Sequence, residues 1–217
     1  MSKNLRSIDF TKAKYSLAAH YPHQWPEDVG AEVAFAGRSN VGKSSAINVI
    51  TNQNRLAKTS KTPGRTQQIV FFDVEDDIRL VDLPGYGYAK APESLRQHWQ
   101  SFVSDYLFNR KCLRALVIPM DIRRPLTKLD FTMLECCWQT GLSAHVLLTK
   151  SDKFKRGKAM GILQSVKKQL ESAPLTSIQL FSSLKKEGID PARSRLNELY
   201  TQDRQTIQQS SEHNTLS

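Results

Sequence analysis

The chain has 217 residues, 39% hydrophobic and 24% charged, with 31 Lys and Arg against 21 Asp and Glu and a formal net charge of +10. That length and composition suit one globular domain with its own core. The absence of any run of 18 apolar residues argues against a membrane-spanning helix, and the opening "MSKNLRSIDFTKAKY" lacks the apolar stretch of a secretory signal, so a cytoplasmic protein is expected.

Residues 1–29, with Pro22 and Pro26, read as an irregular or partly strand-like lead-in. Short apolar runs and amphipathic runs alternate after it. "EVAFAG" reads as a buried strand and "KSSAINVITNQ" as the helix that follows. "QIVFFDV" and "IRLVDL" form a hairpin turning at "EDD". "ESLRQHWQSFVSDYLFNR" has helical spacing at Leu95, Trp99, Phe102 and Tyr106. "LRALVIPMD" is a strand, "LTKLDFTMLECCWQTG" a helix stopped by Gly141, and "AHVLLTK" a strand. "KRGKAMGILQSVKKQLES" is a basic helix, "SIQLFS" the last strand, and "DPARSRLNELYTQ" a closing helix with Pro191 near its start. The tail from 203 to 217 is polar and expected to be disordered. Residues 30–202 thus predict an α/β domain of three layers, with a mostly parallel sheet, helices on both faces, and one antiparallel strand at an edge. Cys112, Cys136 and Cys137 match neither a zinc spacing nor a disulfide framework and read as idle thiols.

Gly37, Arg38, Ser39, Asn40, Val41, Gly42, Lys43 and Ser44 match G-x-x-x-x-G-K-[ST] between a strand and a helix. Glycines let such a loop turn its amide N–H groups onto phosphate oxygens, and the following helix adds its dipole. Lys43 would reach the β- and γ-phosphates, and the Ser44 hydroxyl would ligate Mg²⁺. "TKSD", Thr149 to Asp152, supplies the base: a carboxylate at Asp152 accepts from guanine N1–H and N2–H₂, a donor pair adenine lacks, while the Lys150 stem lies along the purine. "DLPG" (Asp82, Leu83, Pro84, Gly85) ends a strand, where Asp82 can hold Mg²⁺ through water and the Gly85 N–H can meet a γ-phosphate. In "KTPGRTQ", Thr66 is preferred over Thr62 as a Mg²⁺ and γ-phosphate contact, and Pro63 and Gly64 mark the loop. In "FSSLKK", an N–H of Ser182 or Ser183 would bond guanine O6.

These motifs, in the order "AFAGRSNVGKSS", "TPGRTQ", "VDLPGYGYA", "LLTKSDK" and "FSSLKKEG", resemble the EngB (YihA/YsxC) family of bacterial ribosome-biogenesis GTPases, within the translation-factor-related, Era-like P-loop GTPases, over residues 30–200. The resemblance implies GTP and Mg²⁺ bound by Gly37 to Ser44, by Gly64, Arg65, Thr66, Gln67 and Gln68, by Asp82 to Gly85, by Thr149, Lys150, Ser151 and Asp152, and by Phe181, Ser182 and Ser183. Ser44 and Thr66 are the metal ligands it implies, and Lys43, Thr66, Gly85 and Asn40 the residues that serve hydrolysis. It also implies a role in large-subunit assembly, with defective division and septation on loss, on a monomer whose partners are GTP or GDP, large-subunit particles and rRNA, not DNA or membrane.

Tyr86 stands where Ras-type proteins carry a water-orienting Gln, so slow turnover is expected. Asn40 matches the P-loop asparagine that helps hold K⁺ in potassium-stimulated relatives; as a residue tolerant of unusual dihedrals it also reads as a plain turn residue. Positive charge favours polyanions. Arg55, Lys58, Lys61, Arg65, Arg123, Arg124, Lys153, Lys155, Arg156 and Lys158 fall on the expected ligand rim, whereas Arg110, Lys111 and Arg114 fall on the far side; Tyr86, Tyr88, His98 and Trp99 are candidates for base stacking. Two other readings stay open here, a protein-binding switch on the division machinery and a P-loop kinase of a small metabolite.

Overall fold

The computed structural model describes residues 7–58, 68–86 and 93–202, the side chains of 93–100 excepted. Among these residues, strands β1 (Lys14–Ala19), β2 (Ala31–Phe35), β3 (Ile69–Glu75), β4 (Ile78–Asp82), β5 (Leu113–Asp121), β6 (Ser143–Thr149) and β7 (Thr176–Leu180) form one sheet in the order β1-β3-β4-β2-β5-β6-β7. Helices α1 (Lys43–Ile50), α2 (Glu93–Asn109), α3 (Lys128–Thr140), α4 (Arg156–Gln169) and α5 (Ile189–Tyr200) cover it.

The sheet splits the core in two. Along β2, Val33 and Phe35 point to one face and Ala34 to the other, as the two-residue period of a strand requires. The first face packs α1 (Ala46, Ile47, Ile50) and α5 (Leu196, Leu199, Tyr200). The second packs α2 (Phe102, Val103, Tyr106, Leu107), α3 (Met133, Leu134, Cys137) and α4 (Ala159, Leu163, Val166). Strands buried on both faces read as continuous apolar runs, which is why "VAFA" and "LRALVIPMD" are legible as central strands.

The three-layer α/β fold is therefore the one expected, with one correction of position. β3 is antiparallel to β4 but does not lie at the edge, because β1 from the lead-in pairs antiparallel outside it. The turn is also one residue shorter than "EDD": Glu75 ends β3, and Asp77 takes the left-handed φ of 58°.

The end of the sheet away from the strands' C-termini is held by a buried ionic cluster. Glu32 on β2 is fully buried; it accepts from Arg110 Nη2 at 2.6 Å and Nε at 3.0 Å and from the Tyr106 hydroxyl at 2.7 Å. Arg110 also donates to the carbonyls of Pro26 and Glu27, and Asp28 accepts from the amides of Lys111 and Cys112. The charge removed from water is thus paired and hydrogen-bonded throughout, and Arg110 falls on the far side, as expected. No described helix is long and apolar enough to cross a membrane.

His145 on β6 is buried between Ser177 Oγ (2.8 Å) and Gln179 Oε1 (3.1 Å). Burial, with the nearby Arg195 charge, pushes its pKa down from 6.5 to about 4, against the Gln179 and Ser177 hydrogen bonds and Glu198. Below pH 6.5 the unfolded chain takes up a proton that the folded chain refuses until about pH 4, so stability is full above that window and lost as pH falls through it. Urea denaturation near pH 7 and near pH 5 is expected to show a loss approaching ~1.4 kcal/mol per pH unit, and His145→Gln should flatten that slope.

Candidate nucleotide site

The C-terminal ends of β2, β4, β5, β6 and β7 share one rim, and those of β2, β4, β6 and β7 each lead into a motif loop. After β2 the chain folds through Gly37 to Ser44 into α1. Gly37 is there because a Cβ would stand 3.0 Å from Val41 Cγ2 and 3.3 Å from the Pro119 carbonyl. Gly42 caps α1 at φ 99°, a backbone that a side chain resists. Asn40 is exposed at φ 62°.

Among the described residues, the segments after β4 and β6 both grip this one. Tyr86 N donates to Gly37 O and Ser39 N to Tyr86 O, both at 3.2 Å, a short parallel bridge from the DLPG segment. The Thr149 hydroxyl donates to Val41 O at 2.6 Å and to Met120 O at 3.1 Å. Lys150, itself at φ 59°, donates to Asn40 O at 2.8 Å and pairs with Asp121 at 2.9 Å. Thr149 thus braces the phosphate loop with its hydroxyl rather than offering it outward.

Lys43 pairs with Asp82 across the rim, and Leu83 N donates to Phe35 O, which holds the DLPG segment against β2. Pro84 is buried, and Gly85 partly so. Ser44 and Asp82 offer hard oxygen donors, and no cluster of three or more His, Cys, Asp or Glu that could cage a metal exists among the described residues. Such a donor set suits Mg²⁺, which binds through one or two side chains plus substrate phosphates. Gly64, Arg65, Thr66 and Gln67 lie outside the described residues, as do Lys61, Thr62, Pro63 and Tyr88; Gln68, at the edge of that gap, contacts His20 at 2.6 Å.

In the base loops, Asp152 Oδ1 accepts from the Ser182 hydroxyl at 2.5 Å, which aims the carboxylate. Phe181 is buried, and its carbonyl accepts from Ser151 N. Ser182 N is committed to Glu187 O at 3.0 Å, so of the two N–H candidates for guanine O6 Ser183 remains. A cavity of about 760 Å³ opens here, lined by Gly42, Thr149, Lys150, Asp152, Lys153 and Ser183 and continuing over α1 toward Asn48 and Arg193. Two buried hydroxyls without a hydrogen-bond partner among the described residues, Ser39 Oγ and Ser151 Oγ, belong to these loops; buried polar atoms ordinarily have partners.

The sequence reading missed Asp121 and Asp130. Asp121 ends β5 as Asp82 ends β4; hydrogen bonds from Arg123 and the Lys150 ammonium hold its carboxyl well below the usual range. Asp130, fully buried, accepts from Thr127 N and Oγ1 in a capping box, from Arg38 Nε at 3.2 Å, and from the Tyr86 hydroxyl at 3.4 Å. Arg38 therefore turns its side chain to α3 and keeps only its backbone for the loop. Tyr86 is 4% exposed within the core, which removes it from the candidates for base stacking; the side chains of His98 and Trp99 lie outside those described.

A family profile described as "50S ribosome-binding GTPase" matches residues 32–150. A probable GTP-binding protein EngB from Stenotrophomonas maltophilia (strain K279a) is 54% identical over 189 residues, 86% of this chain and 94% of its own length. A protein of the same name from Xanthomonas oryzae pv. oryzae (strain PXO99A) is 52% identical over 189 residues, 86% of this chain and 91% of its own. Among solved structures, a probable GTP-binding protein engB matches with TM-score 0.62 at 22% identity, over 78% of this chain and 98% of that one. An Aquifex aeolicus Era variant bound to GDP·AlF4⁻ matches with TM-score 0.64 at 18% identity, over 77% and 56%; at such identities the likeness is one of fold.

If Asp152 reads the base, Asp152→Asn exchanges an acceptor for a donor. Titration with labelled nucleotides should show GTP affinity down by at least about tenfold, or 1.4 kcal/mol, and xanthosine triphosphate affinity up. Unchanged GTP affinity would remove Asp152 from the site.

Proposed function

This chain belongs to the EngB family of GTP-binding proteins, within the 50S ribosome-binding GTPases, and from that membership we propose that it is a cytoplasmic, monomeric switch that hydrolyses GTP slowly, docks on rRNA of large-subunit particles during their assembly, and is needed for normal division and septation. The observation that carries the reading is the bracing of the phosphate loop by the base loop: Thr149 and Lys150 hold Val41 O and Asn40 O. A site so joined suits one ligand with a purine at one end and phosphates at the other.

Each residue has a separable task. Amides of the loop from Gly37 to Ser44 would cradle the β-phosphate, and Lys43, released from Asp82, would neutralise the β- and γ-oxygens. Ser44 and Asp82 would hold Mg²⁺, with Thr66 as a further ligand; the ion neutralises charge that develops on the phosphates. Gly85 N–H would report the γ-phosphate to the segment that follows. Tyr86 supports slow turnover: its hydroxyl is engaged by Asp130 and its ring lies in the core, where it would orient no water. Asn40, exposed beside the cradle, would help seat K⁺, whose charge takes the place of an arginine finger.

Sedimentation tests the switch. The protein loaded with a non-hydrolysable GTP analogue should travel with purified 50S particles, and the GDP form should not; equal distribution in both states would reject the reading. Hydrolysis is expected to run faster in K⁺ than in Na⁺ at equal ionic strength. The difference should vanish in Asn40→Ala and also in Asn40→Gly, which tolerates the left-handed backbone. Equal rates in both salts would remove the ion.

A further inference from the structure

Residues 153–170 carry Lys153, Lys155, Arg156, Lys158, Lys167 and Lys168 and no acid. All six cations are exposed. α4 buries Ala159, Leu163 and Val166 against the sheet. At 3.6 residues per turn, Gly157, Gly161 and Lys168 then lie opposite the buried stripe, with Arg156 and Lys167 along one side and Lys158 along the other. A Cβ placed at Gly157 or at Gly161 would meet nothing within 4 Å, so neither glycine is demanded by packing, although each lowers helix propensity relative to Ala. The first turn of α4 has no acid, and Lys155 caps it without a side-chain bond. Cations crowded at the positive end of a helix dipole also cost stability. Lys158 is steadied over the Phe154 ring at 4.4 Å.

Two features that fold poorly and share one exposed face call for a partner outside the chain. We propose that the outer face of α4 is a docking surface for an RNA sugar–phosphate backbone, which lies along the bare helix over Gly157 and Gly161, with Arg156 and Lys167 flanking it on one side and Lys158 on the other. Charge selects the occupant: Lys153 pairs with Asp152 at 3.8 Å, but the five cations from Lys155 to Lys168 have no acid among them and match a polyanion, and a strand of phosphates can follow the length of the helix, which a single anion cannot. The 3₁₀ turn Ser151–Lys153 carries Asp152 directly into α4, so the surface begins where the base site ends. The inference rests on the 50S reading and names the face that reading would use.

Two variants test it, with a labelled RNA hairpin and purified 50S particles as probes. Lys155→Gln/Arg156→Gln/Lys158→Gln should reduce the slope of log affinity against log salt by about three for the hairpin, and should weaken 50S cosedimentation, with GTP affinity unchanged. Gly161→Ala should raise Tm by about 2–4 °C through helix propensity and yet bind RNA several-fold more weakly. A wild-type salt slope in the triple variant, or full RNA affinity in Gly161→Ala, overturns the proposal. So does equal affinity of the wild-type protein for anionic phosphatidylglycerol vesicles. Wild-type protein that fails to sediment with 50S in its GTP form rejects the ribosomal reading instead, a result separate from the comparison of variants.

Discussion

A loop that turns its amide groups inward to meet phosphate must turn its carbonyls outward, and each buried carbonyl needs a donor. Much of the rim can be understood as the supply of those donors. Tyr86 N serves Gly37 O, the Thr149 hydroxyl serves Val41 O, and the Lys150 ammonium serves Asn40 O. The loops that would read the base and sense the γ-phosphate are therefore the same loops that hold the cradle in shape. Asp121 extends the arrangement by one step, fixing the lysine that fixes the loop.

The opposite end of the sheet has a different character. There Glu32, Arg110 and Tyr106 hydrogen-bond one another, buried from solvent, and the lead-in at Pro26 to Asp28 is tied across the strand starts. A pair of charges in such a place must keep its partners, because one left alone in a low-dielectric interior is costly. The division of labour is common in α/β sheets: loops at the carboxyl ends meet ligands, while here the other end is closed by the hydrogen-bonded Glu32, Arg110 and Tyr106 side chains.

Most strands and helices were legible because their periods are unmistakable; β5 and α3 needed little more than the run "LRALVIPMD" and the stop at Gly141. The motif loops were legible because their chemistry needs fixed spacing. β1 was less so: "KYSLAA" shows no clean alternation and contains a register shift between Tyr15 and Leu17, so only pairing with β3 reveals it as the edge. Asp130 was hidden for another reason. Its sequence neighbourhood shows a helix cap, and the cap is real, but its second oxygen serves Arg38 and Tyr86, residues 92 and 44 positions away. Local pattern carries no trace of such a link. The same limit applied to Tyr86, where an aromatic near a ligand loop suggested stacking and the core claimed the ring instead.

The pairing of Lys43 with Asp82 has a consequence for how charge can change at the rim. Within the pair, the two charges cancel. A phosphate that draws the ammonium away strands the carboxylate beside incoming negative charge, and a divalent ion that takes the carboxylate strands the ammonium beside incoming positive charge. Either ligand alone would therefore meet repulsion of its own making, whereas the two arriving together would exchange one neutral pairing for two. If the proposed site holds both groups, the ion pair would act as a lock with two keys and would favour the metal–nucleotide complex over its separate parts.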